Sequence, residues 1–190
     1  MKISEEQKNM NYTLWLTKLQ ENGVDTSILA RVYGEKIKNA TYGKNNSAAF
    51  SGAMLHVVIR KICRIAININ KCLSESVRVD PKSIIKVCLL QHISKAVMLV
   101  ETIGYNGAVK YEFNDDKEEN YVLKGGERSA LMCMQNGIPL TNAEFEAMTS
   151  VDKEFNTKND GYANMLTLIV SSANRLANAE IRDEDQKFKR

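Results

Sequence analysis

Residues 84–100, IIKVCLLQHISKAVMLV, constrain this chain more than any other stretch. Read as one helix, the stretch is apolar on nearly every turn, so it has to be buried on most of its faces. Asp80-Pro81 precedes it as a cap, with proline at the first helical position. The polar pair Gln91-His92 interrupts it near the middle, and Lys95 follows one turn later. In a helix this dense, such a pair is either a small cost of packing or a site.

The rest of the chain is organised as helices around that core. Its 190 residues fit one domain with a substantial interior, and only two prolines interrupt it. The expected fold is all-α. A first helix spans about 4–22, with Ser4 as N-cap, Gln7 in the capping-box position and Tyr12, Trp15, Leu16 and Leu19 on its apolar face. A second, from about 25–39, carries Ile28, Leu29, Val32 and Ile37, with Asp25, Thr26 or Ser27 as its cap. After a polar loop at 40–51, a long helix over 52–73 repeats Met54, Leu55, Val58, Ile62, Ile65 and Ile69 at helical spacing.

Beyond residue 101 the pattern changes. Residues 109–113 and 121–123 are rich in β-formers and read as the two arms of a small solvent-facing hairpin. Gly125-Gly126 opens a helix over about 127–136. Thr141 and Glu144 form the capping-box pair of the next helix. A last helix, about 162–181, has Met165, Leu168, Ile169, Leu176 and Ala179 on its stripe, and the mixed-charge tail reads as frayed. The organisation expected is a helical pair at 1–40, a helical domain at 41–181 and a charged tail at 182–190, with no internal repeat.

Composition excludes several classes. A net charge of +3 is too small to argue for nucleic acid, and the cluster Arg60, Lys61 and Arg64 lacks interleaved aromatics, so it reads as a solvated face. The four cysteines, at 63, 72, 88 and 133, form no CxxC pair, which argues against a zinc ribbon or a thioredoxin-type site. The N-terminus is polar, without a signal-peptide pattern, and no apolar run has the length to span a bilayer. These features point to a reducing cytoplasm, or to a particle assembled there.

Candidate chemistry is sparse. His56 and His92 are the only histidines. Cys88 and His92, four apart, would share a helix face and make half of a metal site, but no acidic residue lies on the central helix to complete it. Glu127-Arg128-Ser129 follows two glycines at a helix start, where a phosphate can be held. Asn174-Arg175 lies among Ser171, Ser172, Ala173 and Ala177, small residues that permit close helix packing. Asp152, Asp160 and the acidic run at 115–119 read as loop carboxylates facing solvent. No Ser/His/Asp or Cys/His catalytic set follows from spacing.

Several segments carry a resemblance in their order and local sequence: Ser51-Gly52-Ala53-Met54-Leu55-His56; the stretch 85–97, IKVCLLQHISKAV; Gly126-Glu127-Arg128-Ser129; Gly137-Ile138-Pro139-Leu140-Thr141; Phe145-Glu146-Ala147-Met148; and Ser172-Ala173-Asn174-Arg175-Leu176-Ala177. Over residues 41–179 the chain resembles the HD-domain metal-dependent phosphohydrolases of the variety common in phages and their bacterial hosts. The resemblance implies an HD-domain-like helical bundle with a small β-hairpin insertion. The chemistry departs from the family. Its paired His-Asp falls on Gln91-His92, its later histidine on Val151 beside Asp152, and its closing Asp on Asn174. Of the ligand positions only His56 is unchanged.

The family's reaction needs one or two metal ions to generate hydroxide and steady a displacement at phosphorus. Gln, Val and Asn at three ligand positions leave too little charge and too few ligands for it. The resemblance therefore implies a retained fold and a lost hydrolase: a structural or interaction protein without metal or other cofactor, joined to protein partners or to copies of itself, as in a phage-encoded assembly. The competing expectation is a surviving hydrolase of a nucleotide or cyclic dinucleotide, built from His56, His92 and either Asp152 or Cys88. Nucleic-acid binding through Arg60, Lys61 and Arg64 is a third.

Overall fold

The computed structural model of the chain describes residues 3–44, 46–105, 107–114, 123–150 and 163–188. It is mostly helical, with one small two-stranded antiparallel sheet. Helix α1 (Glu5–Glu21) starts as its sequence dictates, with Ser4 Oγ accepting from the Gln7 N–H at 3.1 Å. The Gln7 side chain reaches Asn11 instead of closing a capping box. Trp15 and Leu19 are fully buried, and the Trp15 indole donates to the Leu89 carbonyl at 2.9 Å. The N-terminal helices are thus part of the same core as the central stretch.

Helix α2 (Ser27–Asn39) presents a different face from the one its apolar residues suggest. Leu29 and Ile37 are buried, whereas Ile28 and Val32 remain exposed. The reason lies at Gly34, where α2 meets α1 so closely that a Cβ would collide with the Tyr12 hydroxyl. That contact turns the Leu29–Gly34–Ile37 side inward. At its start no threonine cap forms; Asp25 Oδ1 accepts from the Ser27 N–H instead.

The long helix of the third segment is present as α3 (Ala53–Val57) and α4 (Arg64–Cys72), joined by a π-helical stretch, Val58–Cys63. Met54, Leu55, Val58 and Ile62 are buried along it. A short 3₁₀ turn, Glu75–Val77, leads to α5 (Pro81–Leu90), where Asp80 accepts from the Lys82 N–H at 2.9 Å.

The central stretch is not one helix. Helix α5 ends at Leu90, residues 91–94 form tight turns, and α6 (Lys95–Met98) runs straight into strand β1 (Leu99–Ile103). The break has a local cause. In a continuing helix the Ser94 N–H would bond to the Leu90 carbonyl; here it goes to Ser129 Oγ at 3.1 Å, and Leu90 O accepts from Ile93. Strand β1 pairs with β2 (Val109–Phe113), Leu99 opposite Phe113 and Ile103 opposite Val109. The expected hairpin is therefore real in its first arm, but its partner is the end of the supposed central helix. The proposed second arm, at 121–123, lies largely outside the described residues, as do Val151, Asp152, Asp160 and the acidic run at 115–119.

Helices α7 (Gly125–Gln135) and α8 (Asn142–Thr149) pack at Gly126, where any Cβ would collide with the Met148 carbonyl oxygen. Close packing thus explains this glycine without a phosphate. Thr141 and Glu144 form the reciprocal capping box expected of them, at 3.2 and 2.9 Å. Glu144 also holds Lys86 at 2.8 Å and Ser83 at 3.1 Å, tying α8 to α5. Burial pushes its carboxyl up, but Lys86, the Thr141 amide and the Ser83 hydroxyl outweigh this and keep it below the usual carboxylate range.

Helix α9 (Met165–Phe188) continues through the segment expected to fray. Glu180 and Glu184 pair with Lys61, Arg64 also reaches Glu180, and Asp185 accepts from the Ser47 N–H. These contacts give the last turns reasons to stay helical. The buried stripe is Leu166, Ile169, Val170, Ala173, Ala177 and Ile181, while Leu176 faces outward. The small Ala173 and Ala177 let this face approach the core closely.

Trp15 is the only tryptophan, so its emission reports this core directly. Trp15→Phe keeps an aromatic ring but orphans the Leu89 carbonyl. It should lower stability by about 1–3 kcal/mol in urea denaturation followed by circular dichroism.

Candidate functional site

The broken central stretch places three of the residues singled out from the sequence in one buried cluster. Asn174, on the inward face of α9, donates from Nδ2 to Gln91 Oε1 at 2.9 Å and to the Val170 carbonyl at 2.8 Å. Its Oδ1 lies 2.9 Å from His92 Nε2. The Val170 carbonyl can only accept, so it fixes which way the Asn174 amide points. Oδ1 is then the acceptor left for His92, and Nε2 must carry the proton. Gln91 is fully buried, and Asn174 and His92 nearly so.

The ring of Tyr42, which comes from the 40–51 loop, closes the other side. It meets the His92 imidazole edge-on, with centroids 5.2 Å apart, and its hydroxyl lies 3.2 Å from Asn178 Oδ1. Lys95 Nζ stands 4.8 Å from the centre of the same ring. Below, Ser94 Oγ donates to the Gly125 carbonyl at 2.8 Å and accepts from Ser129 Oγ at 3.0 Å, pinning the turn to α7. A cavity of about 300 Å³ opens beside His92, lined also by Ser94, Lys95, Met98, Phe113 and Lys124. Lys44 Nζ lies 4.4 Å over the Phe113 ring near its edge.

Among the described residues, this donor set does not fit a metal ion. It offers two neutral amides and one imidazole, and the imidazole nitrogen facing Asn174 is engaged as a donor. A metal ligand needs that nitrogen bare. Lys95 and Lys124 line the adjoining cavity, and their charge would oppose a bound dication. Among the described residues no three His, Cys, Asp or Glu side chains gather where a metal could be held.

His56 stands elsewhere. Its charged neighbours are Arg60, Lys61 and Glu184, the last about 15 Å beyond Asn174 along α9. Its Nδ1 is buried and, among the described residues, has no hydrogen-bond partner. Burial, and then Arg60 and Lys61, push its imidazole below the ordinary value. Cys88 does not share a site with His92 either. It neighbours the Cys63 thiol of the π-helical stretch, and that thiol together with burial pushes Cys88 well above the usual thiol value. The basic face is less open than expected, since Lys61 and Arg64 are engaged by Glu180 and Glu184.

The sequence indicated Gln91, His92 and Asn174, and the structure joins them. Tyr42 and Asn178 escaped notice, Ser94 was quoted only within a longer stretch, and Ser129 was noted only for a possible phosphate. None carries a spacing signal, because each comes from a different element and matters only once the core is packed. Comparison with family models, with curated proteins and with solved structures found no match for this chain.

Two outcomes follow. Asn174→Ala strips partners from Gln91, His92 and Val170 at once, and should cost about 2–4 kcal/mol in urea denaturation. His56 has a folded-state pKa below its unfolded value of about 6.5. As pH falls through that value the unfolded chain takes up the proton first, so this contribution to stability is complete above pH 6.5 and lost below it. Denaturation midpoints should drop from pH 7.5 to pH 5.5, and the drop should be smaller in His56→Gln.

Proposed function

We propose that this chain is a catalytically inactive helical scaffold of the HD-like type, acting as a structural or interaction protein within a multi-subunit assembly, of the phage-encoded kind its resemblance suggests. The observation that carries this reading is the Asn174 amide. It bridges Gln91 and His92 and spends both of its donors and its acceptor on protein groups. At the position where a hydrolase of this kind would hold an ion, the polar atoms are turned on one another. Such a network contributes to a defined core and leaves none of the Asn174 amide's hydrogen-bonding groups to an ion.

The surfaces available to partners under this reading are the β1–β2 hairpin, the outer side of the 40–51 loop, whose Tyr42 packs inward on His92, and the outward faces of α1 and α2. Exposed Ile28 and Val32 on α2 and exposed Ile103 and Tyr105 at the hairpin are consistent with contacts made to other chains.

The decisive experiment is elemental analysis of protein purified free of metal and then exposed to manganese, zinc or iron, with turnover assays on nucleotides and cyclic dinucleotides. The expected result is no stoichiometric metal and no turnover. Stoichiometric metal that disappears in His56→Ala, together with nucleotide turnover, would instead establish a working hydrolase.

A further inference from the structure

Strand β2 has an outward edge whose features match those of a second copy of itself. The hydrogen-bonding phase of the hairpin is set by its two ends. The Gly104 N–H bonds to the Ala108 carbonyl at 2.8 Å, and the Asn114 N–H bonds to the Met98 carbonyl at 2.9 Å. Bonded and non-bonded pairs alternate along an antiparallel ladder. With Leu99 opposite Phe113, the pairs bonded inside the hairpin are then Thr102 with Lys110 and Val100 with Glu112. The backbone N–H and C=O groups of Val109, Tyr111 and Phe113 therefore point away from β1. Among the described residues, no other strand pairs with them.

We propose that this edge pairs with the same edge of a second copy of the chain, antiparallel, about a two-fold axis at Tyr111. The argument is the self-complementarity of the sequence Val109-Lys110-Tyr111-Glu112-Phe113 in that register. Tyr111 faces the partner's Tyr111, and Val109 faces the partner's Phe113. Both are bonded pairs that use the outward groups. Lys110 faces the partner's Glu112 in the closer, non-bonded pairs, on the same side of the sheet.

Three observations on the single chain agree with this arrangement. Lys110 and Glu112 are exposed, and among the described residues neither has an ion-pair partner. Val109 and Phe113, which would cover one another, are 53% and 54% exposed. Tyr111 is held by the body of the protein, 7% exposed with its hydroxyl on Glu101, so the centre of the edge is rigid. The other edge lacks this match. A two-fold axis at Glu101 on β1 would set Glu101 against Glu101, a like-charge pair directly opposite. A closed two-fold contact also leaves no β2 edge for further copies, so the product is a dimer and not a filament.

The pairing involves one short strand from each chain, which is less surface than a permanent interface uses. Association should therefore depend on concentration. The inference goes beyond the scaffold reading and does not require it, because the β2 edge is the same whether or not the buried cluster ever held a metal.

Sedimentation of the full chain over a wide concentration range, with amide hydrogen exchange, tests the proposal. The expected result is a monomer–dimer equilibrium with the Val109, Tyr111 and Phe113 amides slowed at high concentration. Val109→Pro removes an outward N–H that the hairpin does not use, and should abolish the dimer while the far-ultraviolet spectrum and melting temperature hold. Lys110→Glu and Glu112→Lys should each weaken association by about tenfold, through two reversed pairs per dimer. The doubly exchanged K110E/E112K chain should recover it. A monomer at every concentration overturns the proposal. So does a dimer untouched by Val109→Pro, or one that the double exchange fails to rescue, since either places the contact elsewhere. None of these three failures bears on metal binding, which tests the scaffold reading separately.

Discussion

A turn buried at the centre of the core has to have its polar atoms satisfied by the rest of the protein, and residues 91–94 are such a turn. An unpaired buried amide or hydroxyl costs about as much as a good hydrogen bond contributes. Here the partners come from three directions: Asn174 from α9, Ser129 and the Gly125 carbonyl from α7, and Tyr42 from the loop before α3. Helices far apart in sequence are thereby held to one point. The packing of Gly126 against Met148 and the small face of α9 follow from the same need for close approach.

The break also redirects the chain. Because Ser94 gives its amide to Ser129, the apolar run after it leaves the helical ladder after one more turn and becomes β1. The hairpin is thus an outgrowth of the core stretch. Its base is tied to the core at Met98, and its far residues, Ile103 and Tyr105, stand out in solvent. A rigid base with an exposed apolar end is a common arrangement for presenting a surface to another chain.

Charge plays two roles in this architecture. Inside, the cluster around Asn174 joins two side-chain amides and an imidazole, which hydrogen-bond to one another. Outside, carboxylates of α9 neutralise two of the three residues of the basic face, and the Glu144–Lys86 contact joins α8 to α5 with little solvent access. The last of these has the better claim to structural weight, since its charges are shielded from water and backed by the Thr141 and Ser83 hydrogen bonds.

Much of the helical layout was legible from local signals: Ser4, Asp80-Pro81 and the Thr141–Glu144 box each mark a helix start at the residue where one occurs. Capping depends on a few neighbours along the chain, so sequence alone can determine it. The pairing of Gln91, His92 and Asn174 was also suggested there, although by likeness of segments and not by spacing. Three things were decided only by tertiary structure. The inward face of α2 was set by Gly34 meeting Tyr12, against its own apolar pattern. The central stretch looked helical throughout, because the serine that breaks it lies 35 residues away. The last turns of α9 look too charged to hold, until Lys61, Arg64 and Ser47 supply their partners. Each turns on a contact between distant residues, and hydrophobic periodicity carries no record of such contacts.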